Sequence, residues 1–204
     1  TRHLITFTVD PALNGYSPRD TKGLAKALLA RLNAAPGVAG ASLASTRLLE
    51  GNQWTGDFTV EGYRHGSDEE MEQNCNTVGP AYFRSMGIPL LRGREFDERD
   101  ERLVEVPDDE LERQYRVAIV NERFVKKYFA EHDPIGRRIG FGTDPGRSTP
   151  IEIVGVVADS KYTGVRDDIQ RQVFFPFFES ARPRGFTLYV RTSHPPDAMF
   201  RAVR

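Results

Sequence analysis

The sequence predicts an α+β fold in which the two ends of the chain build one layer and the middle is inserted into it. Three observations carry this reading. Residues 3 to 45 read strand, helix, strand, and residues 186 to 204 read strand, then helix. The stretch from Gly51 to Pro183 holds at least six further strand-like runs and two short helices of its own.

The first strand is HLITFTVDP, where Leu4, Thr6 and Thr8 alternate with Ile5, Phe7 and Val9. The helix follows in YSPRDTKGLAKALLARLNAAPGV. Ser17 stands at the N-cap, Pro18 at the first helical position, and Asp20 where a capping-box acid belongs. Leu24, Leu28 and Leu32, flanked by Ala25 and Leu29, form one apolar stripe over about four turns. Pro36-Gly37 stops the helix. VAGASLAS is the second strand, so the unit is expected to be a parallel pair with a crossover helix.

At the other end, FTLYVRTS puts Phe186, Leu188 and Val190 on one face, and HPPDAMFRAVR opens a helix with Asp197 near its start. The strand that would close this second unit is expected beyond Arg204. If the two halves share a layer, the strands around Phe7 and Leu188 lie in one sheet.

In the insertion, GDFTVEGY is a strand and RHGSDEEMEQ a polar loop. CNTVGPAYFRSMG is a strand running into a short helix entered at Pro80 and ended at Gly87. IPLLRGREF is a strand or edge carrying Arg92 and Arg94 outward, and DERD begins an acidic, solvated loop. VAIVNERFVKKYFA is a buried strand entering a helix at Asn121, with Phe124, Val125, Tyr128 and Phe129 as its apolar face. DPIGRRIGFG turns into a strand. IEIVGVVAD is nearly all β-branched and is expected to be buried on both faces. VFFPF is a short strand that Pro176 assigns to an edge.

Composition narrows the function classes. A chain of 204 residues is long enough for one large domain or two small ones with a real core. The formal net charge of -1 leaves no basic surplus for binding nucleic acid. One cysteine, Cys75, forms no internal disulfide, and a zinc site needs several Cys or His ligands. No apolar run approaches the roughly 20 residues of a membrane helix, and the opening residues do not read as a signal peptide. The opening TRHLITFTVDP and the closing DAMFRAVR both read as cut ends, so an excised domain is expected.

Each candidate site has a plainer reading. From Glu95 to Glu112 there are ten carboxylates and two arginines, a local charge of -8. The run has neither the alternate spacing nor the glycine of an EF-hand, so it reads as a solvated loop or an acidic docking surface. GRRIGFG, Gly136 to Gly142, lacks the Lys-Ser/Thr of a P-loop and the helix of a dinucleotide site, and reads as a turn with Arg137 and Arg138 facing solvent. No Gly-x-Ser-x-Gly elbow occurs. Cys75, between Asn74 and Asn76, has no base near it in sequence and reads as inert. His3, His65, His132 and His194 are scattered without ligand spacing. Asp159 and Lys161, in VVADSKY, stand where a catalytic pair would leave a sheet, but such residues more often cap the strand and turn the chain. No catalytic, cofactor or metal residues are assigned.

The order of the segments carries more information than any site. VGPAYFRSMGIPLLRGREFDERD, VAIVNERFVKKYFAEHDPIGRRIGF, IEIVGVVADSKYTGVRD, VFFPF and FTLYVRTS, with LNAAPGVAGASLAS before them, closely resemble the extracytoplasmic core of MacB-type ABC transporter permeases. The resemblance spans nearly the whole chain, and its flavour is that of the duplicated orphan permeases of acidobacteria. It implies two lobes: a porter-like lobe of two β-α-β units, residues 1–50 and 184–204, the second unit truncated, and an inserted mixed α/β sabre-like lobe, residues 51–183.

The resemblance also implies a place and a set of partners. The domain would sit on the periplasmic face of the bacterial inner membrane, tethered through membrane segments. A cytoplasmic ATP-binding subunit or domain would drive it, beside a second permease half or protomer. MacB itself works with a periplasmic adaptor, though no adaptor-contact motif is identifiable here. The implied role is to pass ATP-driven conformational change to substrate or partner handling, with no enzymatic activity and no cofactor. Two other readings stay open: a periplasmic module capturing a peptide or lipid between its lobes, and a hydrolase using Asp159, Lys161 or Cys75.

Overall fold

The computed structural model describes residues 3–48, 54–66, 68–101, 115–130, 132–144, 146–161, 164 and 168–193. Strands dominate an α+β chain. They are β1 (Leu4–Val9), β2 (Val38–Ala44), β3 (Trp54–Val60), β4 (Glu72–Val78), β5 (Leu90–Gly93), β6 (Val117–Asn121), β7 (Arg138–Phe141), β8 (Ile151–Val157), β9 (Gln172–Pro176) and β10 (Phe186–Thr192). The helices are α1 (Pro18–Ala34), α2 (Tyr82–Met86) and α3 (Glu122–Tyr128).

The cap of α1 forms as its sequence demands. Asp20 N–H donates to Ser17 Oγ at 3.2 Å, and Ser17 N–H donates to the Asp20 carboxylate at 3.3 Å. The helix buries Ala25 and Leu29 against Ile5, Leu43, Phe186, Leu188 and Val190. β1 and β2 do not pair with each other as the sequence had suggested. β10 lies between them, antiparallel to both, so the order is β1-β10-β2. Two strands each antiparallel to a third are parallel to one another, so the expected orientation holds and the adjacency does not. Phe7 faces Leu188 directly, which puts the two ends of the chain in one sheet.

β2 reaches β4 through a single pairing, Ala44 with Val78. Beyond it the ladder closes on itself through β4, β3, β7, β8, β6 and β9, because β9 pairs back onto β4 in parallel. A closed ladder has no edge, and its two faces must pack on different cores. Residues of β6 and β9 show this by alternating. Ala118, Val120, Val173 and Phe175 join one cluster with Phe58, Cys75 and Ile139, while Ile119 and Phe174 join another with Tyr82, Phe83 and Phe96. β8 likewise contributes Ile153 and Val156 to the first and Val154 and Val157 to the second, which is why its sequence is apolar apart from Glu152.

Three further expectations are corrected. Pro176 does not mark an edge: β9 pairs with β4 on one side and β6 on the other. The proline is tolerated because it is the strand's last residue. Glu72 and Gln73, read as polar loop, are the first residues of β4. Arg94 does not point outward, and the first acids are not loop. Arg94 doubles back to clamp Asp100 with two hydrogen bonds of 2.6 and 2.8 Å, Asp100 is 3% exposed, and Glu98–Asp100 is a 3₁₀ turn capped by Asp97. The acidic stretch Glu105 to Glu112, the C-terminal helix with Asp197, and His194 lie outside the described residues.

Candidate functional site

Asp159 ends β8 as a structural clasp. Its Oδ1 accepts from Asn121 Nδ2 at 2.8 Å and from the Arg123 N–H at 2.9 Å, and its own N–H donates to Glu122 Oε2 at 3.1 Å. Asn121 is fully buried and uses every hydrogen-bonding position it has. Its Oδ1 accepts from the N–H groups of Phe124 and Gln172, and its Nδ2 also donates to the Gln170 carbonyl. The pair thus joins α3, β8 and β9 at one corner. Lys161 is exposed two residues on.

Cys75 sits elsewhere, with no exposure, inside the closed ladder. Its thiol lies 3.6 Å from the Gln73 carbonyl, and burial pushes its pKa well above the ordinary range, the opposite of what activates a thiolate. Cys75, enclosed by the ladder, and Asp159, at the corner of α3 and β8, therefore do not share a pocket. His3 precedes β1 and its carbonyl accepts from Thr192 N–H at 2.9 Å. His65 and His132 are exposed. Among the described residues no group of three or more His, Cys, Asp or Glu converges to hold a metal ion. Around Gly136 the chain makes the expected turn, Arg137 N–H donating to the Pro134 carbonyl at 3.1 Å, with Arg137 and Arg138 exposed.

Sequence reasoning missed one buried charge cluster. Glu179 is fully buried just before the chain returns to β10, and it accepts from Arg116 Nε at 2.5 Å and Arg116 N–H at 3.1 Å. Burial drives its pKa up against the pull of Arg116. Lys22, 6% exposed on α1, feels Glu179, and burial drives its pKa down. Lys26 on α1 pairs with Glu101 and lies 5.3 Å over the Phe178 ring. These contacts tie α1 to the chain at Glu101 and at Phe178–Glu179. Nothing in FFES marks an acid that will be buried, because the partners are far off in sequence.

Clefts among the described residues include three of note. One of about 450 Å³ lies between the ends of β1 and β10 and the rings of Trp54 and Tyr115. A second, of about 920 Å³, separates α1 from the 97–101 segment. A third, of about 940 Å³, runs along α3 beside β5. The first is open and lined by hydroxyls and two arginines as well as rings, unlike the closed apolar pocket a captured lipid prefers.

Comparison with known proteins then fixes the context. The family model of the MacB-like periplasmic core domain matches residues 2–203. A curated relative, the macrolide export ATP-binding/permease protein MacB 2 of Aeromonas hydrophila, is 30% identical over 100 residues, or 49% of this chain. That alignment spans 13% of the relative's own length. The periplasmic region of MacB from Actinobacillus actinomycetemcomitans superposes with a TM-score of 0.56 at 15% identity, covering 100% of this chain and 81% of that one. A domain of a permease protein from Porphyromonas gingivalis gives 0.52 at 20% identity, covering 98% and 80%. At those identities the structural likeness speaks for the fold.

Proposed function

We propose that this chain, which belongs to the MacB-like periplasmic core domain family, transmits ATP-driven motion of an ABC transporter permease to substrate or partner handling outside the cytoplasm. The observation that carries the reading is the unbroken ladder from β1 through β10 and β2 to β4 and the closed strands beyond. β1 begins and β10 ends side by side, where Thr192 N–H donates to the His3 carbonyl. A displacement applied there passes through hydrogen-bonded strands and the Lys26–Glu101 and Arg116–Glu179 contacts rather than through a slack linker.

In this reading, residues 1–50 and 184–204 form the porter-like lobe and 51–183 the inserted sabre-like lobe. The cluster around Phe58 draws on residues 51–183 alone and supports the division, although Phe177 and Phe178 pack with α1 and a third cluster joins Ala44 and Tyr189 to Tyr82 and Phe83. An ATP-binding subunit or domain, a second permease half or protomer, and in some settings a periplasmic adaptor are the partners proposed. The test is a donor fluorophore at the exposed Arg137 and acceptor lipids in a nanodisc holding the full permease. ATP binding is expected to change the transfer efficiency. Identical efficiencies with and without ATP would overturn the role in transmission.

A further inference from the structure

We propose that Asn14 is a site of spontaneous deamidation, at which the Gly15 amide nitrogen attacks the Asn14 side chain and leaves an aspartyl or isoaspartyl group on the surface between β1 and α1. The chain has six asparagines, and Asn14 is the one followed by glycine. The attacking nitrogen must reach the side-chain Cγ of the residue before it, and a Cβ on the attacking residue obstructs that approach. Gly15 has no Cβ, and nothing lies within 4 Å of where one would stand. Asn14 is exposed, and its side chain makes no hydrogen bond among the described residues.

The other described asparagines are held in place. Asn33 donates to the Leu29 and Ala41 carbonyls and accepts from the Ala41 N–H. Asn76 accepts from Ser45 Oγ and the Thr46 N–H and donates to the Thr46 carbonyl. Asn121 is the buried corner of α3, and Asn74, 7% exposed, is paired within β4.

The backbone around Asn14 is lightly held by comparison. Pro11–Asn14 is a 3₁₀ turn with no side-chain cap, and Pro11 is its one buried residue. Leu13 is 83% exposed. Gly15 N–H donates to the Ala12 carbonyl at 3.1 Å and Tyr16 N–H to the Pro11 carbonyl at 3.3 Å. Bonds of this kind have poor geometry, and here they are exposed, so the turn can open while the sheet stays closed. Opening releases the Gly15 nitrogen, which must lose its proton to react.

The step balances with water as the one co-reactant. The Gly15 nitrogen bonds to Asn14 Cγ, the Cγ–Nδ2 bond breaks, and Nδ2 leaves as ammonia with the proton that Gly15 gives up. Water then opens the cyclic imide at either carbonyl. One opening restores the normal backbone with an aspartate. The other leaves isoaspartate, whose backbone runs through the former side chain and is a methylene longer. Either product carries a carboxylate where the amide was neutral, so the formal net charge of -1 becomes one unit more negative.

The test incubates the 204-residue chain in heavy-oxygen water at mildly alkaline pH, then maps tryptic peptides by mass spectrometry. Digestion in ordinary water marks any later conversion by its light oxygen. Asn14 is the one asparagine between the cleavage sites at Arg2 and Arg19. That peptide is expected to give two isomeric products, isoaspartate the larger, each with one heavy oxygen, before the peptides holding Asn33, Asn76 or Asn121 change. Gly15→Ala is expected to slow the conversion about tenfold. The same peptide free in solution should convert faster than the folded chain, because its turn is always open. No conversion in the chain while the free peptide converts overturns the proposal, since the turn would then keep Gly15 out of reach. Earlier conversion at Asn33, Asn76 or Asn121 overturns it too, as does a Gly15→Ala chain that converts as fast as wild type.

Discussion

Phe7 on β1 stands directly opposite Leu188 on β10, and Leu188 in turn stands opposite Leu43 on β2. Leu188 is the middle of the seam that joins the two ends of the chain, and it is 3% exposed. Leu188→Ala leaves a cavity bounded by α1 and both neighbouring strands, which do not collapse independently. The expected cost is about 3 kcal/mol, read as a lower urea midpoint at unchanged slope. A cost under about 1 kcal/mol would mean that the seam is not a shared core.

Local rules gave the helices and most strands, and segment order put Phe7 and Leu188 in one sheet; which strands are neighbours was hidden. The Ser17–Asp20 box, the start of α3 at Asn121 and the stop at Gly87 are written in neighbouring residues and were read correctly. That β10 slips between β1 and β2 depends on residues more than 140 positions away, and no periodicity reports it. Pro176 misled because a proline's lost donor matters in mid-strand and not at its last residue. Arg94 and Asp100 misled for a similar reason: their mutual clamp lets a charged pair leave solvent, whereas each alone reads as surface. The clefts were invisible because α3, β5 and the 168–171 segment meet only in three dimensions.

Asn121 gives a sharper test of the Asp159 corner than deletion does. Its Nδ2 donates to Asp159 Oδ1, so Asn121→Asp, nearly isosteric, places two carboxylates face to face in a buried site. At neutral pH this variant is expected to lose at least as much stability as Asn121→Ala, about 2–4 kcal/mol. The aspartate variant should recover as acid protonates the pair, and the alanine variant should not. Parallel pH profiles for the two would contradict the assigned hydrogen bond.

Acid should weaken the fold through two partly exposed carboxylates. The hydrogen bond from Lys127, with those from Tyr63 and Gly66, lowers Glu69 from 4.5 to about 2, and Arg99 lowers Asp97 from 3.8 to about 2. Lowered folded-state values mean that their stabilisation is present above about pH 4.5 and is lost as pH falls toward 2. Glu179 has the opposite sign: raised by burial, it binds its proton more tightly when folded, so its contribution declines as pH rises above 4.5. Thermal melts of Glu69→Gln/Asp97→Asn should fall less steeply than wild type between pH 4.5 and 2. Glu179→Gln should instead gain on wild type as pH rises from 4.5. An unchanged acid slope in the double variant would remove the first two groups from the account.

Cys75 has no exposed surface and a thiol driven toward its neutral form, so it should resist modification in the native state. Ellman's reagent is expected to react only as denaturant unfolds the chain, with the rate following unfolding. Fast labelling of the native protein would show that the closed ladder opens locally around β4.

Gly93 separates crowding from backbone strain. It has φ +71, and a Cβ there would lie 2.1 Å from the Val154 carbonyl oxygen and 2.9 Å from Ile135 Cδ1. That carbonyl already accepts from Arg94 N–H at 2.9 Å, so it cannot retreat without undoing the β5–β8 ladder. Gly136 has φ +81 with nothing within 4 Å of its Cβ position. Gly136→Ala should therefore cost about 1 kcal/mol, the left-handed penalty alone, and Gly93→Ala about 3 kcal/mol or more. Equal costs for the two substitutions would show that β5 is held less tightly than its contacts require.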